Sequence, residues 1–129
     1  MTEPLNAPES RVQLVRTNEA EWKPLNEPGV SGISVKVLRF DQGTGRAPTI
    51  LLKFEPGAAY PAHDHPAGEE VFVLEGQVTF GKRRLQAGDY LYTPPGGKHA
   101  VWSQKGCVML LCVPEEVVIL NAHTTSPGS

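Results

Sequence analysis

The sequence predicts an all-β protein, a sandwich or barrel of short strands. Three observations carry this. Proline and glycine are dense, at 12 and 13 residues, and they break the chain roughly every eight to twelve positions, the spacing of short strands joined by turns. No window carries an apolar stripe at i, i+3, i+4 and i+7, the mark of an amphipathic helix. Between the breaks lie short runs rich in Val, Ile, Leu, Phe and Tyr, which suit a pleated, half-buried surface.

The runs follow in order. RVQLV (11–15) comes first, and GISVKVLRF (32–40) follows the Pro28-Gly29 break. TILLKF (49–54) lies between the Gly43 to Gly45 stretch and Pro56-Gly57. After a histidine-bearing segment come EVFVLEG (70–76) and QVTF (77–80), divided at Glu75-Gly76. Gly81 turns the chain into RRLQ (83–86), Gly88 into DYLYT (89–93), and Pro95-Gly96-Gly97 into HAVWS (99–103). Gly106 precedes CVMLLCV (107–113), and VVIL (117–120) closes the series. Residues 1–10 and 122–129 read as flexible polar tails, which leaves 11–121 as a single domain. A chain of 129 residues is one domain by length and can bury a core.

Residues 71–74 and 107–113 are apolar at both parities. A strand with one wet face alternates, so both faces of these runs are expected to be covered. The cover expected for the outer faces is the strand around 33–40 or a second subunit.

Charge is balanced, with 12 Lys and Arg against 14 Asp and Glu. That gives no footprint for nucleic acid, and the basic GKRR (81–84) reads as a solvated hairpin tip. No run approaches the roughly 18 apolar residues that span a bilayer. MTEPLNAPES lacks the charged and apolar regions of a signal peptide. Cys107 and Cys112 are five apart on one strand-like run, so they point to opposite faces and are poorly placed to pair. A reducing cytoplasm is the expected setting.

Chemistry concentrates in HDHPAGEE (63–70). His63 and His65 project from one face if the stretch is extended, and two neighbouring imidazoles can chelate one ion. A third ligand is Glu69 or Glu70, and parity selects Glu69 if the strand resumes in phase. His99, directly after the PPGGK turn, is a fourth candidate on a neighbouring strand. Such a mixed set of nitrogen and oxygen ligands suits a borderline divalent ion such as Zn, Fe, Ni, Co or Mn, and not Ca or Mg. Glu70 and Asp64 point away by parity, and His123 reads as solvated in the C-terminal tail. The soft candidates for a pocket wall are Val71, Val73, Val101, Ser103, Tyr60, Phe72, Tyr92, Trp102 and Met109.

The frame around these residues resembles the cupin superfamily. Its first motif, G-x5-HxH-x3,4-E-x6-G, reads here as GAAYPAHDHPAGEEVFVLEG, with Glu69 keeping six residues before Gly76. Its second, G-x5-P-x-G-x2-H-x3-N, reads as GDYLYTPPGGKHAVWS, with Ser103 where the pattern has Asn. Together with EWKPLNEPGVSGISVKVL upstream, the motifs look like the cupin domain of the ChrR anti-sigma factor and its stand-alone relatives, over residues 20 to 115 or thereabouts.

That resemblance implies a jelly-roll β-barrel, the double-stranded β-helix. It implies metal ligands His63, His65, Glu69 and His99 around one divalent transition metal per chain (Zn, Fe(II), Ni or Mn). It implies a homodimer with a small-molecule ligand. It does not extend to a sigma factor as partner, because the helical sigma-interaction domain has no counterpart among the twenty or so preceding residues. Two functions are compatible with it. One is a metal-dependent dioxygenase acting on a small diketone-like molecule. The other is a non-catalytic, metal-stabilised ligand-binding or stress-sensing module. No catalytic side chain is singled out.

Overall fold

A computed structural model describes residues 11–40, 43, 47–64, 67–113 and 118–119, the last pair through the backbone alone. The two predicted tails lie outside the described residues. Ten strands follow in order: β1 (Lys23–Pro24), β2 (Ile33–Arg39), β3 (Thr49–Phe54), β4 (Ala59–Asp64), β5 (Glu69–Phe80), β6 (Arg83–Gln86), β7 (Tyr90–Thr93), β8 (Lys98–Trp102), β9 (Cys107–Cys112) and β10 (Val118–Ile119). The all-β expectation holds. The strands form one curled sheet in the order β1-β2-β3-β9-β5-β8-β4-β10, with β6 and β7 also on β5. This is the jelly-roll barrel expected, and its described pairings are all antiparallel.

β5 is the strand the two halves of the barrel share. Its first half pairs with β7 and β9, and its second half with β6 and β8. The sequence divides this segment at Glu75-Gly76, whereas the chain runs on as one strand. The register slips between Val73 and Glu75, so the break is a bulge and not a turn. Gly76 has φ +79°, and a Cβ there would overlap the Gly106 carbonyl oxygen. Only glycine permits both the backbone angle and this close approach.

Burial alternates along β5 and β9, as a strand with one inner face requires. Val71, Val73, Val78 and Met109 point inward and are essentially excluded from solvent. Each such side chain contributes about 1.5–3 kcal/mol by burial. On the outer face Phe72 and Leu74 stay 39% and 43% exposed, while Val108 and Leu110 are half-buried. The expected cover by residues 33–40 is not seen, because β2 extends the same sheet beside β3. What crosses the outer face of β2 is the segment before it. The Lys36 ammonium donates to the Thr17 carbonyl at 2.6 Å and lies 4.6 Å from the Trp22 ring centre. The aliphatic stem is thereby buried while the charge keeps a partner.

Two further expectations change. Residues 11–15 form no strand, and Val12 and Leu14 are exposed; an apolar run without a neighbouring edge has no ladder to join. The histidine-bearing stretch was expected to be extended only conditionally, yet it forms β4. Cys107 is buried on the inner face and Cys112 half-buried on the outer one, and the two do not form a disulfide.

Candidate metal centre and its cavity

β4 pairs with β8, and the register slips between Tyr60 and His63: Tyr60 opposes Val101, and His63 opposes His99. Three residues on β4 thus match two on β8. The extra residue is a bulge, which re-aims side chains. It lets Tyr60 and His63, of opposite parity, face the same interior. Pro61 suits the bulge because it has no backbone donor to lose. Its carbonyl oxygen lies 2.7 Å from His63 Nδ1. A carbonyl only accepts, so Nδ1 carries the proton and Nε2 presents its lone pair inward.

His63 is 3% exposed. Burial holds its imidazole below the ordinary value of 6.5, against the raising influence of the Pro61 carbonyl and the Glu69 charge. The ring is therefore neutral near pH 7, the state a metal ligand needs. Glu69 opens β5 and turns inward, buried to 3% exposure. Glu70 turns outward, where it accepts a hydrogen bond from the Tyr90 hydroxyl at 2.7 Å. His99, on β8, completes the described group. Its Nε2 lies 3.5 Å from Glu69 Oε1, and its ring meets those of His63 and Phe80 edge to face, each with centres 5.1 Å apart.

Three of the four candidate ligands thus converge from β4, β5 and β8, while His65 lies outside the described residues. Among the described residues no group of three or more His, Cys, Asp or Glu side chains is close enough to hold an ion as it stands. The donor set nonetheless fits one. Two imidazoles and a carboxylate stand together, and a buried carboxylate is costly without a compensating positive charge.

His63 and Glu69 line one side of a cavity of about 320 Å³, the lower range of small-molecule sites. The rest of the lining is mainly aliphatic and aromatic, from β2, β3, β8 and β9. Of the soft candidates, Tyr60, Val101 and Met109 line it. Val71, Val73 and Ser103 are buried without reaching it, and Phe72, Tyr92 and Trp102 face outward. Ser103 is fully buried and donates its hydroxyl to the Gln77 carbonyl at 2.5 Å. It ties β8 to the far side of the β5 bulge.

Sequence reasoning passed over Glu27, whose side chain also lines the cavity. It stands at the first position of a turn closed by Val30 N–H to the Glu27 carbonyl at 3.1 Å. Pro28 and Gly29, with φ +77° at Gly29, give this turn its type II character. The Pro28-Gly29 signal is plain in the sequence; the direction in which that turn aims Glu27 is not.

A family model described as "ChrR Cupin-like domain" matches residues 10–115. Among solved structures, the polyketide cyclase RemF from Streptomyces resistomycificus superposes with a TM-score of 0.73 at 21% identity, covering 87% of each chain. An acetylacetone dioxygenase from Acinetobacter johnsonii gives 0.69 at 17% identity, covering 82% of this chain and 74% of that one. Both likenesses show the fold alone. The dimethylsulfoniopropionate lyase DddQ from Ruegeria pomeroyi is 43% identical over 49 residues, 34% of this chain and 24% of that protein. The chain spans about a quarter of the length of the curated relatives it matches.

Proposed function

The chain belongs to the ChrR cupin-like domain family, and on that premise we propose that it is a metal-binding cupin that takes up a small oxygen-rich molecule and oxidises it as a dioxygenase. One divalent transition ion per chain (Zn, Fe(II), Ni or Mn) would be held by His63, His65, Glu69 and His99. The observation that supports this is the meeting of His63, Glu69 and His99, the first two of them buried in the wall of a mainly apolar cavity. A bound ion supplies Lewis acidity toward ligand oxygens. The chain supplies the rest: a neutral His63 fixed by Pro61, a buried carboxylate, and aliphatic walls that exclude water. A diketone-like molecule suits such a site, with its oxygens toward the histidines and its apolar body against Val101 and Met109. The fold shared with an acetylacetone dioxygenase agrees with that choice of substrate class.

The test is anaerobic loading of the metal-free protein with Fe(II), followed by acetylacetone and oxygen. Oxygen uptake with loss of enolate absorbance supports the dioxygenase reading. No turnover with Fe(II), Mn(II), Ni(II) or Zn(II), alongside stoichiometric metal, moves the protein to the second reading: a non-catalytic, metal-stabilised ligand-binding or stress-sensing module. We further propose a homodimer, formed through the outer face that leaves Phe72 and Leu74 exposed, and a cytoplasmic setting, in keeping with two cysteines that form no disulfide with each other. Among the described residues no helix is long and apolar enough to cross a membrane.

A further inference from the structure

We propose that Glu27 is the specificity-determining residue of the cavity, and that it selects ligands carrying a compact alkylammonium group. The inference deepens the reading of the cavity as a ligand site. Its basis is charge. Two carboxylates, Glu27 and Glu69, are among the described lining residues, and no Lys or Arg is. Glu69 lies beside His99 and belongs to the proposed metal centre. Glu27 has a different setting. It is half-buried against aliphatic neighbours such as Leu25, Val35 and Leu52 in the same wall. The Tyr60 hydroxyl donates to its Oε1 at 2.7 Å, which holds the carboxylate in the lining of the cavity.

A neutral group set against Glu27 would strip water from its carboxylate without replacing it, which is costly. A cation would compensate the charge instead. The type II turn fixes the backbone from which Glu27 projects, so recognition does not depend on ordering a loose loop. Tyr60 acts through Glu27 and is a positioning residue. The ligand so defined has a small apolar body, an oxygen end toward His63 and His99, and an alkylammonium end toward Glu27.

The experiment uses two molecules of one shape and different charge, choline and 3,3-dimethyl-1-butanol, titrated into the full chain and followed by methyl NMR. Both are measured on zinc-loaded and on metal-free protein. The expected result is choline binding at least tenfold tighter than its neutral isostere in both forms. Glu27→Gln, which keeps an acceptor for Tyr60, brings the ratio to about one. Tyr60→Phe lowers the ratio by a smaller factor. Circular dichroism checks that both variants fold. Equal affinity for the two probes, preference for the neutral one, binding of neither, or a ratio unchanged in Glu27→Gln each overturns the proposal. Because the readout is a ratio seen without metal, failure to take up zinc overturns the metal-centre reading alone.

Discussion

His63 and His99 are register partners on β4 and β8, and their rings meet edge to face with planes at 85°. This pairing is antiparallel and local to the β4 bulge, so the two imidazoles are placed by backbone hydrogen bonding and not by a loop. If they hold an ion together with Glu69 and His65, removing either one dismantles the site. His63→Ala, His99→Ala and Glu69→Gln should each weaken zinc affinity by more than about 100-fold, above the range typical for outer partners of a ligand. Competition titration against a chelator measures this. Glu70→Gln, on the outer face, should leave affinity unchanged. Equal affinity in Glu69→Gln and the parent would remove Glu69 from the ligand set.

Acid should destabilise the metal-free protein through His63. Burial holds its imidazole below 6.5 in the fold, so the unfolded chain binds the proton first as pH falls. Stability from this group is fully present above the unfolded value and is lost as pH drops from about 6.5 through the folded value. Urea midpoints of metal-free protein should be level from about pH 8 to 7 and fall as the pH drops below about 6.5. His63→Gln should flatten that fall. An equally steep fall in the variant would assign it to other groups.

Two glycines should differ in what they tolerate. Gly29 and Gly76 both have φ near +78°, at +77° and +79°, but Gly29 has nothing within 4 Å of a built Cβ while Gly76 meets the Gly106 carbonyl. Gly29→Ala therefore carries backbone strain alone, about 1 kcal/mol, and Gly76→Ala should cost more than about 2 kcal/mol. Denaturant unfolding of both variants decides it; equal costs would mean that β5 relaxes around the added methyl.

Much of the centre was legible because strand parity and motif spacing are local. Parity places Glu69 inward and Glu70 outward, and the chain does the same. What was not legible came from contacts between distant segments. Tyr60 and His63 differ in parity, and only a bulge set against β8 turns both inward. Glu27 reaches the cavity because the turn after β1 is held against β2 and β4, a placement no window of sequence contains. The runs at 71–74 and 107–113 read as covered on both faces, yet Phe72 and Leu74 remain exposed. Residues 11–15 have strand composition and no edge to pair with.

That exposed face gives a test of assembly. Phe72, Leu74, Tyr90 and Tyr92 stand together on the outside of β5 and β7, with Tyr90 opposite Phe72 and Tyr92 opposite Glu70. A stable interface buries at least about 1,000 Å², and an apolar face of this kind is a candidate for it. Sedimentation at micromolar concentration should show a dimer for the parent and a monomer for Phe72→Glu with an unchanged fold. A monomeric parent would end the homodimer proposal.

The sharing of β5 between the two halves of the barrel has a consequence for how the molecule is made. β6 and β7 can pair with β5 as soon as they emerge, but its other edge takes β9 and β8, so during synthesis that edge is not fully paired until residue 112 has emerged. His63 likewise waits for His99. The half built from β4, β5 and β8 is in hand once residue 102 has emerged, and the other waits for β9; the pairings of β4 with β8 and of β3 with β9 each span a long stretch of chain, which slows folding to roughly milliseconds to seconds. Metal uptake should then lag behind strand formation. Stopped-flow refolding that follows Trp22 and Trp102 fluorescence together with a zinc indicator would show the order, with zinc capture trailing the fluorescence change. Capture ahead of it would mean that the histidines gather the ion first and the strands assemble around it.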